Sequence, residues 1–166
     1  MKNRILPVLA CSFAIAACGE KPAEESAADA AAEPATPAPV AAALPRTPSV
    51  GDARVFFISP GDGDTVTSPV RIEFGIEGMA VAPAGDNTPH SGHHHLLINT
   101  ALPEMGLPIP ADANHVHFGD GSTSTEIALE PGEHTLQMLL GDHLHIPHDP
   151  PLFSRKITIY VESGAL

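Results

Sequence analysis

The sequence predicts an all-β domain, an immunoglobulin-like antiparallel β-sandwich of about seven strands, preceded by a signal peptide and a disordered linker. Three observations point to it. Short runs rich in β-branched and aromatic residues recur from residue 52 onward, bounded by Gly, Pro, Asp or Asn. Several of these runs alternate apolar with polar residues, the pattern of a half-buried strand. No stretch carries a convincing helical periodicity. The chain has 166 residues, room for one domain plus an extension. The Cys…Trp…Cys pattern of antibody domains is absent, so the architecture rests on strand count and spacing. A small closed barrel is the alternative.

The first run is Arg54–Ser59 (RVFFIS), closed by a turn over Pro60–Asp64. Thr65–Ile76 follows, with Val70, Ile72, Phe74 and Ile76 on one face and Arg71 and Glu73 on the other. Pro69 has no amide donor, so an edge or a bulge is expected there. His94–Thr100 (HHLLINT) is the third run, His115–Phe118 (HVHF) the fourth and Thr123–Leu129 the fifth. Glu130-Pro131-Gly132-Glu133 reads as a tight turn, with Pro and Gly at its central positions. It leads into His134–Leu140 (HTLQMLL). Arg155–Val161 (RKITIYV) closes the domain, with Ile157, Ile159 and Val161 on one face. Three long connections remain: Met79–Gly92, Ala101–Asn114 and Gly141–Leu152. Pro103, Pro108 and Pro110 stiffen the second; Pro147, Pro150 and Pro151 stand in the third.

The N-terminus reads as an address. Met1–Arg4 is basic, and Ile5–Ala17 is an apolar run of thirteen residues. A membrane span needs about 20, so the run suits a secretory signal. It ends in Ile15-Ala16-Ala17-Cys18, which resembles the lipobox of bacterial lipoproteins. That resemblance implies cleavage before Cys18, lipidation of Cys18 and stable anchoring to a membrane by several acyl chains. Gly19 rather than Asp after the Cys implies a periplasm-facing lipoprotein of the outer membrane. The expected organisation is signal peptide over 1–17, lipidated Cys and disordered Ala/Pro-rich linker over 18–51, and folded domain over 52–166. Residues 21–50 hold eleven Ala and six Pro with no apolar periodicity. As a coil the linker spans roughly 30–35 Å.

Cleavage leaves 6 basic against 20 acidic residues, a net charge of −14. Such an acidic chain has no patch to neutralise phosphates, which excludes nucleic acid as a partner. Cleavage also removes Cys11, and lipidation consumes Cys18. Cys-ligated zinc, blue copper, iron–sulfur centres and a Cys nucleophile are thereby excluded. No protein partner is indicated.

All ten His fall between residues 90 and 148. Between Arg71 and Arg155 lie 83 residues with no Lys or Arg and eleven Asp or Glu. Many imidazoles and carboxylates without a competing cation suit a bound metal ion. His93-His94-His95, His115-Val116-His117 and His143-Leu144-His145 each contain His-x-His. In a strand, residues i and i+2 share a face about 6.5–7 Å apart. Two imidazoles leaning together then reach one metal at about 2.0–2.1 Å. The candidate ligands are His93, His95, His115, His117, His143, His145 and His148. Asp142 and Asp149 are candidates to accept hydrogen bonds from the ligand rings and fix their tautomers. Imidazole suits Cu(II), Zn and Ni, and copper or zinc is expected. Met79, Met105 and Met138 are too scattered for a methionine-ligated Cu(I) site. Affinity is expected to fall below about pH 6.5, where imidazole ordinarily protonates. His94 and His134 share parity with neighbouring leucines and read as core histidines.

Two other functions compete with metal binding. The His can brace the Pro-rich loops of a structural or interaction module of the envelope. A metalloenzyme would require an open coordination position and a cleft. No catalytic residue is assigned: Ser91 beside His90 lacks the strained Gly-x-Ser-x-Gly setting. Asp62-Gly63-Asp64 lacks the rest of a calcium loop.

Four motifs carry a family resemblance: Gly92-His93-His94-His95-Leu96-Leu97-Ile98, His117-Phe118-Gly119, Pro131-Gly132-Glu133-His134-Thr135-Leu136, and Gly141-Asp142-His143 through His145 to His148-Asp149-Pro150-Pro151. With them, Ser59 to Val161 resembles the bacterial envelope domain-of-unknown-function family 4399. That implies a compartment and little chemistry. A shorter stretch, His115-Val116-His117-Phe118-Gly119-Asp120, is similar to the metal strand of copper–zinc superoxide dismutase. It is one residue short, and the disulfide and zinc loop of that family are missing, so the match is treated as convergent.

Overall fold

In the computed structural model, residues 44–163 are described; the signal peptide, Cys18 and most of the linker lie outside them. Nine strands run in the order β1 (Arg54–Ser59), β2 (Thr65–Thr67), β3 (Val70–Glu77), β4 (Ala80–Val81), β5 (Ser91–Ile98), β6 (His115–His117), β7 (Ser124–Ile127), β8 (Gly132–Gly141) and β9 (Ile157–Glu162). Among the described residues there is no helix. A three-stranded sheet, β1-β3-β7, faces a larger sheet ordered β2-β9-β8-β5, with β4 and β6 both paired to the far side of β5. The fold is all-β and sandwich-like.

Alternation builds the core. Val70, Ile72 and Phe74 of β3 and Val55 of β1 point inward from the small sheet. Leu96 and Ile98 of β5, Leu136, Met138 and Leu140 of β8, and Ile157, Ile159 and Val161 of β9 meet them from the large sheet. Burying such side chains contributes about 1.5–3 kcal/mol each. Phe118 and Leu152, from the connections, complete this core.

Several sequence expectations change. The run Thr65–Ile76 is divided between the sheets: Ser68-Pro69 interrupts it, β2 pairs with β9, and β3 pairs with β1 and β7. Pro69 cannot donate to a ladder, so the chain changes sheet there. The Met79–Gly92 connection contains β4, and β5 starts at Ser91 rather than His94. The pairings β2–β9 and β4–β5 are parallel, so the large sheet is mixed rather than purely antiparallel. Residues 44–50, expected in the linker, hydrogen-bond to the domain instead. Leu44 N–H donates to Gly106 O at 3.0 Å, Asp149 N–H to Thr47 O at 2.9 Å and Ser49 N–H to Asp149 O at 3.0 Å.

The outer face of the large sheet is also covered. All eight residues of β5 are buried. Leu97 and Leu139 pack there against Ile109 and Leu102 of the Ala101–Asn114 connection, a second small core. An antiparallel sheet with one solvated face would not need this. The cover makes an enclosed layer outside the sandwich.

One core residue is out of character. His94 points into the main core, its ring 4.9 Å from Phe74 in an edge arrangement. It is fully buried, and neither ring nitrogen has a hydrogen-bond partner. Burial pushes its pKa down to about 4. His134, the other expected core histidine, is half-buried and satisfied: it accepts from Asn99 Nδ2 at 2.9 Å and donates to Glu130 O at 2.8 Å.

A pKa lower in the folded than in the unfolded chain means that the unfolded chain binds more protons. Stability is therefore lost as pH falls from 6.5, the unfolded value, towards 4 for His94. The slope is up to about 1.4 kcal/mol per pH unit for each such imidazole. His94→Leu is expected to raise stability at pH 7 by about 1–3 kcal/mol, by removing an unsatisfied polar group. It should also flatten the pH dependence. Urea denaturation between pH 7.5 and pH 4.5 checks both, and a variant with the wild-type slope would refute the assignment.

Candidate metal centre

The odd residues of β5 carry the site. Strand geometry sends Gly92, His94, Leu96 and Ile98 to the core and Ser91, His93, His95 and Leu97 to the covered outer layer. The antiparallel register pairs His95 with His117 of β6. The ring of His145 comes from the connection after β8. Its backbone is left-handed, with φ 66°, uncommon for a residue other than glycine.

These four imidazoles form one cluster. The His93 ring centroid lies 4.9 Å from that of His95, 4.9 Å from that of His117 and 4.8 Å from that of His145. His117 lies 5.0 Å from His95 and 4.7 Å from His145. One ring nitrogen from each of His93, His95 and His117 lies within 4.8 Å of the others. His145 Nε2 and His117 Nε2 are 3.1 Å apart, so in the neutral pair one donates and the other accepts. The cluster is graded in depth. His93 and His95 are 0% and 1% exposed, His145 is half-buried, and His117 is exposed.

The two deep rings have no hydrogen-bond partner on either nitrogen. A buried polar group left unpaired costs about 1–3 kcal/mol, and here four ring nitrogens are left so. Among the described residues, no hydrogen bond joins a carboxylate to any ring of the cluster. Burial, reinforced by the neighbouring His145 and His117, lowers His93 to about 4. Burial lowers His95 to about 2, with His93, His117 and His145 adding to it. His117 is lowered as well, by burial and then by His145. The deep rings of His93 and His95 are thus neutral nitrogen donors at neutral pH.

Two glycines make room for the rings. A Cβ on Gly119 would sit 2.3 Å from Cε1 of His117, and one on Gly141 would sit 3.0 Å from Nε2 of His95. The first contact is far inside van der Waals distance. Both glycines lie in His-bearing motifs, His117-Phe118-Gly119 and Gly141-Asp142-His143, whose spacing alone does not reveal this role. A glycine flanking a His-bearing strand was the available signal.

Of the seven expected ligands, the structure brings together His93, His95, His117 and His145. The other three lie apart from these rings. His115 shares the β6 face with His117 but pairs two residues along, opposite Leu97. Its Nδ1 is held by Asp112 Oδ1 at 2.8 Å. His143 is half-buried and adds no ring to the cluster; its segment is a loop, where period-2 alternation does not hold. His148 is fully buried on the core side, against the position a Gly92 Cβ would take, and Nε2 donates to Ser91 O at 3.2 Å.

The two carboxylates also differ from expectation. Asp149 is exposed and pairs with Arg46 at 3.2 Å. Asp142 is buried and accepts from Thr47 Oγ1 at 2.7 Å, Leu144 N–H at 2.9 Å and Ile146 N–H at 3.0 Å. Burial works to raise its pKa, but these hydrogen bonds prevail and hold it below the usual carboxylate value. Asp142 O also accepts His145 N–H at 2.8 Å. Asp142 therefore shapes the loop that presents His145 and leaves the imidazole tautomers free.

Fold and site together define an all-β domain with an imidazole cluster, graded from buried to exposed, on the covered face of its larger sheet. The family model for Domain of unknown function (DUF4399) matches residues 72–162, over half of the chain and all four clustered histidines, and the chain belongs to this family. No curated protein and no solved structure matches it.

Gly119→Ala is expected to displace the His117 ring while the sheets stay folded. Imidazole proton–nitrogen correlation spectra should then show His117 and His145 shifting and His134 unmoved. An unchanged His117 signal would contradict the close packing.

Proposed function

We propose that this is a periplasm-facing outer-membrane lipoprotein whose domain binds one transition-metal ion, copper or zinc. The ligands are His93, His95 and His117, with His145 as fourth donor. The observation that carries this proposal is the pair of deep imidazoles with all four ring nitrogens buried and unpartnered beside two further imidazoles. Histidines serving only to brace loops would donate to loop carbonyls. Among the described residues, His93 and His95 make no such bond.

The donor set selects the metal class. Calcium and magnesium prefer oxygen ligands, and among the described residues no carboxylate is hydrogen-bonded into the cluster. Imidazole nitrogens suit borderline divalent ions, with Cu(II) binding more tightly than Zn(II) at a given site. Four protein donors make a closed site, as in structural zinc centres, whereas catalytic zinc sites keep one position open. This favours holding or transferring an ion over reaction chemistry. His117 at the surface and the half-buried His145 form the mouth through which an ion exchanges. The membrane anchor rests on Cys18 and its lipobox.

The titration expected from an ordinary imidazole shifts with burial. Protons compete with a metal for neutral nitrogens, and His93 and His95 resist them to about 4 and about 2. Ion release should therefore have its midpoint below pH 6.5. The chain equilibrated with equal Cu(II) and Zn(II), then dialysed, is expected to retain one ion. His93→Ala with His95→Ala should abolish retention, while His115→Ala and His143→Ala should preserve it. Elemental analysis reads the outcome, and a wild-type chain that retains no ion refutes the proposal. Separately, Cys18→Ala should move the protein from the membrane to the soluble fraction.

A further inference from the structure

Residues 44–50 run along the connection that presents His145. Arg46 Nε donates to Pro147 O at 2.9 Å, and its guanidinium also donates to His148 O and pairs with Asp149. Pro48 bridges Asp149 in parallel fashion. One contact goes deeper. Thr47 Oγ1 donates to Asp142 Oδ2 at 2.7 Å, and the other oxygen of Asp142 holds the amides of Leu144 and Ile146, on either side of His145. A charge-assisted chain thus runs from the segment before β1, through one buried carboxylate, to the turn that carries the fourth imidazole. The left-handed backbone of His145 is a conformation that must be held by its surroundings.

We infer that this strap is part of the metal centre's machinery, resting on the metal-binding proposal above. Thr47 is a positioning residue that holds His145 on the cluster through Asp142. Docking of residues 44–50 and binding of the ion therefore stabilise each other. The coupling is reciprocal: whatever factor the docked strap adds to ion affinity, the bound ion adds to strap docking. Detaching the strap, by a partner or by strain on the segment before it, would loosen His145 and leave the three remaining imidazoles with a weaker hold.

The test uses the full chain and Zn(II) as probe. Thr47→Val keeps the side-chain shape and removes the hydroxyl; it is expected to weaken Zn(II) binding roughly five-fold or more. Thr47→Ser, which restores the donor, should recover most of that loss. Hydrogen exchange of peptides covering 44–50 supplies a readout that a merely structural role would not move. In the wild type, Zn(II) should slow exchange there. In His145→Ala, Zn(II) held by the other three histidines should leave it unchanged. If Thr47→Val binds Zn(II) as tightly as wild type, or Zn(II) does not slow exchange at 44–50 in the wild type, the coupling is refuted and the metal site stands. If the wild type binds neither Zn(II) nor Cu(II), both fall together.

Discussion

The structure depends on β5 having no solvent face. Strand alternation sends its even residues into the main core and its odd residues into the layer beneath the Ala101–Asn114 connection. Backbone bonds to β8 on one side and to β4 and β6 on the other fix its register. A one-residue slip would exchange the two faces. It would drive His93 and His95 into the core and Leu96 outward. The packing of Leu96 and Ile98 against Met138 and Phe74 thus fixes the side on which the imidazoles emerge.

Because β5 is enclosed, its histidines cannot turn to water. His93, His94 and His95 all bury unpartnered nitrogens, but their surroundings differ. His94 meets Phe74 among aliphatic side chains and has no polar neighbour to satisfy it. His93 and His95 meet each other, His117 and His145. The same desolvation that destabilises the domain in acid keeps these rings unprotonated and available as donors. Stability and the supply of neutral imidazole therefore respond to pH through the same groups, both falling in acid.

The sequence made the period-2 elements legible and little else of the site. His93 and His95 were readable because one strand carries both, and alternation alone puts them on one face. His117 needed the pairing of β6 with β5, a contact between distant segments that no local pattern encodes. His145 lies in a loop, so the His-x-His spacing that included His143 had no pleat to act on. His115 obeys the pleat but falls two residues too far along. His148 was misplaced because its loop folds back behind Gly92. The seven expected strands correspond to real ones, but the sheet change at Pro69 and the two-residue β4 went unseen. A sequence run can show that a strand exists without showing which sheet it joins.

The four donors are not held by equivalent means. His93 and His95 are set by a strand buried on both faces, and moving either would disrupt the sheet. His117 sits at the end of a three-residue strand and depends on the space left by Gly119. His145 depends on its loop: Ile109 N–H donates to its carbonyl at 2.8 Å, and the Asp142 carboxylate, which holds the flanking amides, in turn meets the strap through Thr47. Rigidity therefore falls from the sheet to the mouth of the cluster. In the metal site proposed above, the fixed pair would set the minimum hold on an ion and the conditional pair would strengthen it. The conditional pair lies where an ion would enter, and one support of His145 reaches, through Asp142 and Thr47, the segment before β1.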